Sequence, residues 1–221
     1  MPSRFIMIEL VKPTIAYRES FLQGADDFAS EGRIDSTYAT FLGYDHRSIE
    51  THFVQFVHDL RGLSNAARVN AGWYVDYVYW LVDGGEYIGQ ASVRPELRSP
   101  YLLTYGGHIG YSIRPSKRRQ GYGKHILALA LAQAHSVNLY RVLVTCDADN
   151  IGSRKIIEHN GGVFESSIPM TRSTFRAEGR TGSDPMEKLR YWIDLRKTGD
   201  QTPKEACRTK NTEFMPPRGS N

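Results

Sequence analysis

The sequence predicts a single mixed α/β domain, and three observations carry that expectation. Alternating apolar stretches of strand length lie between longer stretches with helical spacing. A two-glycine signal, Asp83-Gly84-Gly85, joins two of the strand-like stretches as a hairpin. Between 108 and 132, an apolar strand, a basic Gly-rich turn and an apolar helix follow one another directly. With 221 residues, 40% of them hydrophobic and 24% charged, the chain is long enough to bury a full core.

The elements follow in order. Phe5–Val11 reads as a first strand ended by Pro13. Residues 16–31 place Tyr17, Phe21, Ala25 and Phe28 on one helical face. Residues 32–47, with Gly32, Gly43 and Asp45, read as a loop, and Ser48 opens a second helix carrying Ile49, Phe53, Phe56, Val57 and Leu60. Asp76–Val82 and Tyr87–Arg94 are the arms of the hairpin, and 96–107 is a turn-rich connection. His108–Ile113 is a strand closed by Pro115. Arg141–Asn150 is a strand with a β-branched centre, and Ile151–Asn160 is a short helix stopped by Gly161-Gly162. Residues 166–186, rich in Gly, Pro, Ser and Arg, read as a long variable loop, and Met186–Leu195 alternates as a last strand. The domain is expected to span 1–196, with 197–221 a disordered polar tail.

Composition excludes several classes. No apolar run approaches the roughly 18 residues of a membrane span, and the N-terminus lacks a signal-peptide core. Two cysteines, Cys146 and Cys207, make no disulfide framework, so a cytoplasmic protein is expected. The net charge of +4 does not by itself imply nucleic acid. His46, His52 and His58 recur every six residues, which does not align them on one helical face, and no metal is expected.

The chemistry lies in Arg118-Arg-Gln-Gly121-Tyr-Gly123-Lys124. Glycines at 121 and 123 let backbone N–H groups approach phosphate oxygens at a helix N-terminus, and Arg118, Arg119 and Lys124 add positive charge. The spacing fails both the P-loop, since His125 follows the Lys, and the dinucleotide fingerprint, since Ile126 stands at the third Gly. It fits Arg/Gln-x-x-Gly-x-Gly. Together with the strand–Asn150–helix order containing Ser153, this segment resembles the GNAT family of acetyl-CoA-dependent N-acyltransferases, over about residues 73–195.

The resemblance implies a GNAT fold, with a mostly antiparallel central sheet of six to seven strands and about four main helices. It implies acetyl-CoA as co-substrate, bound by Ser112, Ile113, Arg118, Arg119, Gln120, Gly121, Tyr122, Gly123 and Lys124, and by Asn150 and Ser153. Backbone at 111–113 would stabilise the oxyanion. Ile157 and Thr145 stand where family members carry a Tyr acid or a Glu base, so the catalytic pair is not carried over. His108 is the leading base candidate, Glu96 a weaker one, and Tyr111 a candidate proton donor to the thiolate. Asn150, read as contacting the pantetheine arm or ordering the cleft, has helix capping as its alternative, and Tyr111 could equally belong to the core. The expected reaction is direct acetyl transfer to a primary amine of a small molecule or amino-acid derivative, in a monomer or homodimer, with neither nucleic acid nor membrane as partner. Acidic residues near the first variable segment (Asp26, Asp27, Glu31, Asp35, Asp45) could attract a cationic acceptor. Two alternatives are a non-catalytic acyl-CoA-binding protein and a nucleic-acid-binding domain using the basic 114–124 cluster.

Overall fold

A computed structural model of the chain describes residues 8–32, 38–67, 74–170 and 187–198. Seven strands form one sheet in the order β1-β2-β3-β4-β5-β7-β6. They are β1 Glu9–Val11, β2 Tyr77–Asp83, β3 Glu86–Val93, β4 Ile109–Ile113, β5 Arg141–Asp147, β6 Val163–Pro169 and β7 Glu187–Asp194. Every neighbouring pair is antiparallel except β4 and β5, which run parallel and pair at a single register position, Ile109 opposite Val144. Parallel neighbours need a crossover, and α4 (Tyr122–Ser136) supplies it.

Alternation along the strands divides the core in two. Val78, Trp80 and Val82 of β2 face α1 (Arg18–Ser30), α2 (His46–Thr51) and α3 (Phe53–Gly62). Tyr79 and Leu81 face the opposite layer, where Ile126, Leu127, Ala130 and Ala134 of α4 pack on β3 and β4. The fifth helix, α5 (Ile151–His159), lies beside α4 and buries Ile157. Helices thus cover both faces of a mostly antiparallel sheet. In the first layer Phe21 stacks on Trp80 at 4.7 Å and touches Phe53, Phe56 and Tyr87 within 5.5 Å. Aromatic pairs of this kind add to their area burial.

The structure refines several boundaries. The expected second helix is two, because His52 leaves helical geometry between α2 and α3, and Asp45 rather than Ser48 caps the start, its carboxylate accepting from the Ser48 N–H at 2.7 Å. The 96–107 connection contains a π-helical turn, Leu102–Gly106. The expected loop at 166–186 is strand as far as Pro169. Its residues 171–186, the first strand before residue 8 and the tail beyond 198 lie outside the described residues. Among the described residues no helix is long and apolar enough to cross a membrane.

Phe21 has no exposed surface and holds the aromatic cluster together. Phe21→Ala is expected to lower the unfolding free energy by about 3–5 kcal/mol, read as a reduced denaturation midpoint at unchanged slope in urea titration.

Candidate active site

Because β4 and β5 pair only at Ile109 and Val144, they part beyond that point, toward Tyr111 on one side and Cys146 and Asp147 on the other. A cavity of about 310 Å³ opens there, lined by Gly110, Tyr111, Thr145, Asp147, Ser153 and Lys188 among others. Tyr111 and Cys146 belong to the α4 side of the sheet, and Asp147 pairs across strands with Lys188 at 2.8 Å. The π-helical turn covers the opposite wall through Tyr101, Leu102, Tyr105 and Gly106.

That turn is held to the sheet by side chains. Gly107 N–H bonds the Leu102 carbonyl at 2.8 Å, and the helix C-terminus leaves carbonyls to be satisfied. Arg190 donates to the carbonyls of Leu103 and Thr104 at 2.5 and 2.9 Å. Thr145 Oγ1 donates to the Tyr105 carbonyl at 2.5 Å, and Arg94 to that of Gly107 at 3.3 Å. Gly107 has φ +71°, and a Cβ there would lie 2.6 Å from the Leu143 carbonyl oxygen, so the segment can enter β4 only through glycine. Sequence reading missed this turn because its carbonyls are satisfied by residues up to 87 positions away.

His108 stands at the start of β4 and is 9% exposed. Its Nδ1 accepts the Leu143 N–H at 3.0 Å. A neutral imidazole with Nδ1 as acceptor carries its proton on Nε2, which leaves no lone pair to take a proton from an amine. Burial, reinforced by Arg94, pushes its pKa down to about 4. The expected base is thereby placed as a strand-entry residue. Glu96 is exposed and ion-pairs with Arg98 outside the cavity lining.

Tyr111 points into the cleft, and its hydroxyl lies 3.0 Å from Ser153 Oγ. Burial raises its pKa above the ordinary phenol value. Asn150 Oδ1 accepts the Ser153 N–H at 3.0 Å and so caps α5. The structure therefore brings Tyr111, Asn150 and Ser153 into one connected group on the cleft wall.

At the turn, Gly121 takes φ +89° and becomes the N-cap of α4, so the helix N-terminus opens without a covering side chain. The turn's own side chains divide. Arg118 is held by both carboxylate oxygens of Glu31 at 2.9 Å, with Nε on the Ile113 carbonyl. Gln120 bonds the Ser116 carbonyl, and Tyr122 donates to Asp83 at 2.7 Å. Arg119 and Lys124 are the cations of the turn for which no such pairing is seen among the described residues. Arg114 and Lys117 pair with Asp27 and Glu86, so most of the basic cluster is neutralised from within, unlike a patch built for nucleic-acid phosphates.

A family defined as the acetyltransferase (GNAT) domain matches residues 25–163, and the chain belongs to it. Solved structures share the fold at low identity. The putative acetyltransferase yncA of Salmonella typhimurium, with its cofactor acetyl-CoA, is 12% identical with a TM-score of 0.52, the alignment covering 92% of this chain and all of that one. RimJ of Mycobacterium smegmatis, in complex with CoA-disulfide, is 18% identical with a TM-score of 0.56, covering 88% of each chain. The microcin C7 self-immunity acetyltransferase MccE, in complex with acetyl-CoA and AMP, is 13% identical with a TM-score of 0.55, covering 85% and 92%. A search of curated proteins returns no match.

The depressed pKa of His108 has a consequence for stability. The unfolded chain takes up that proton first as pH falls, so the contribution is complete above pH 6.5 and is lost between 6.5 and about 4. The loss is at most roughly 3 kcal/mol. Urea denaturation of wild type across this window should show the fall, and His108→Gln should flatten it.

Proposed function

We propose that the chain transfers an acetyl group from acetyl-CoA directly to a primary amine of a small molecule or amino-acid derivative. The observation that carries this reading is the parting of β4 and β5 onto a cavity beside the exposed N-terminus of α4. The residues fit the co-substrate: the backbone N–H groups that open α4 past Gly121, with Arg119 and Lys124, suit a pyrophosphate. The space between β4 and β5 suits an extended arm. Acetyl-CoA bound in yncA and MccE supports this assignment. When bound, acetyl-CoA supplies the thioester.

The remaining chemistry belongs to the chain. β4 runs on through Tyr111–Ile113 past its pairing with β5, where strand backbone N–H groups are placed to meet an oxyanion. Tyr111 keeps its proton well into the alkaline range and donates a hydrogen bond to the departing sulfur, with Ser153 fixing the hydroxyl. Asn150 and Ser153 order that wall. Arg118 and Tyr122 act on the co-substrate through the shape of the turn, being bonded to Glu31 and Asp83. Cys146 remains a thiol, since burial pushes it up to about 11, which favours direct transfer over an acyl-enzyme.

Saturating acetyl-CoA at about a hundred times Kd stabilises a folded protein by about 2.7 kcal/mol. The midpoint of thermal unfolding should rise by roughly 5–10 °C, with no rise for ATP or a short DNA duplex and a weakened rise in Gly121→Glu. A rise with DNA alone overturns the reading, and an acetyl-CoA rise with no turnover of any amine leaves a binding protein. Tyr111→Phe is expected to lower kcat by about 10²-fold while the acetyl-CoA Kd stays within about twofold, measured by free-thiol release and calorimetry.

A further inference from the structure

We propose that Arg94 is the acceptor's anion anchor, so that the amine the enzyme acetylates carries a carboxylate, or a group of like charge and shape, close to its nitrogen. The inference rests on the transferase reading of the cleft and adds to it the chemical class of the acceptor.

Arg94 follows β3 directly, and its side chain is 12% exposed. Nε donates to Asp76 Oδ2 at 3.1 Å, one terminal nitrogen to Tyr38 Oη at 2.8 Å and the other to the Gly107 carbonyl at 3.3 Å. Tyr38 donates in turn to Asp76 at 2.6 Å. Each terminal nitrogen carries a second N–H, and among the described residues neither has a hydrogen-bond partner. A buried donor without a partner is costly, yet both belong to a side chain that lines the cavity. Their position is specific. A Cβ built on Gly110 would lie 3.5 and 3.7 Å from the two terminal nitrogens, so the fork rests on the first residue of β4 past its pairing with β5. Paired N–H groups of a guanidinium match a carboxylate.

Asp76 pairs with the guanidinium from its buried side, and the other charges lining the cavity are the Asp147–Lys188 pair. An anion on the outer N–H groups of Arg94 would leave its pairing with Asp76 intact, and an amine on the far wall would meet the Asp147–Lys188 pair. A cavity of about 310 Å³ is at the small end for ligand sites, and it suits an amino carboxylate.

The test pairs each of the twenty amino acids with its primary amide as acceptors for the full-length protein, followed by thiol release. Amide amines are the weaker bases and are more neutral at pH 8, which favours amides. A preference for acids would therefore come from the anion. We expect the KM of the preferred acid to lie at least about tenfold below that of its amide. Arg94→Gln should bring the acid's KM up to the amide's, with the KM for acetyl-CoA unchanged. The wild-type comparison stands even if that variant folds poorly. Amides used as well as acids overturn the proposal. So does an equal fall in kcat for both in Arg94→Gln, which would place the guanidinium on the reaction's oxyanion. Calorimetry of the acids with CoA-saturated protein separates the two readings. Acid binding that Arg94→Gln abolishes, without turnover of any amine, sustains the anchor and sinks the transferase.

Discussion

The fold depends on one pairing that is not completed. In the interior of a sheet every backbone N–H and C=O needs a partner, yet β4 and β5 meet at Ile109 and Val144 and then part. The other five joins, all antiparallel, carry registers of three to seven residues and hold the sheet on both sides of the gap. The gap is thus a defect that rigid neighbours maintain. Past that point Gly110 and Tyr111 face Thr145–Asp147 across the cavity, and in the proposed function an extended amide-bearing arm lies there as an added strand would. The cost of parting two central strands is met elsewhere, through the two packed layers.

Two polar assemblies keep the gap in shape, one from each side. On the side of the Gly-rich turn, Asp27, Glu31, Asp83 and Glu86 take hold of Arg114, Arg118, Tyr122 and Lys117, tying α1 and the β2–β3 hairpin to the turn before α4. On the opposite side, Arg190, Thr145 and Arg94 satisfy the carbonyls at the end of the π-helical turn. Arg190 is itself fixed by Glu165, which also accepts from Trp192 at 2.7 Å. A single π-turn tends to mark a functional wall, and here it brings two tyrosines over the cavity. Several of these pairs are half exposed and individually weak. Their value is geometric, since they select one conformation for segments that lack apolar periodicity.

The same contrast explains what sequence could and could not show. Helix α1, the hairpin at Asp83–Gly85, β4, α4 and α5 were legible because each follows from local pattern: spacing, turn chemistry or a glycine stop. The Gly-rich turn at Arg118–Lys124, opening α4 at Gly121, was legible for the same reason. The π-turn was not, because carbonyls within Leu102–Gly106 accept from Arg190 and Thr145, which lie far along the chain. The role of His108 was misread for a related reason. A histidine at a strand entry has the right ordinary pKa for a base, but the proton count depends on the Leu143 N–H, 35 residues away. Arg118 was read as charge for phosphate, whereas Glu31 lies 87 positions upstream and claims it. Charged side chains declare their partners only in three dimensions.

The position of the proposed proton donor follows from packing. Ile157, where a tyrosine on α5 would stand in many relatives, is fully buried, and a Cβ on Gly162 would come within 2.4 Å of its side chain. That pocket is closed by Gly162 and core neighbours, and a phenol there would have to displace backbone. The chain places a phenol on the facing strand instead. Tyr111 enters the cleft from β4, and the first turn of α5 meets it through the Ser153 hydroxyl. A leaving thiolate of pKa near 8.5 is a weaker base than phenolate, so full proton transfer from Tyr111 would run uphill. A short, fixed hydrogen bond supplies most of what such a leaving group needs, and a phenol held neutral by burial can supply it from the opposite wall.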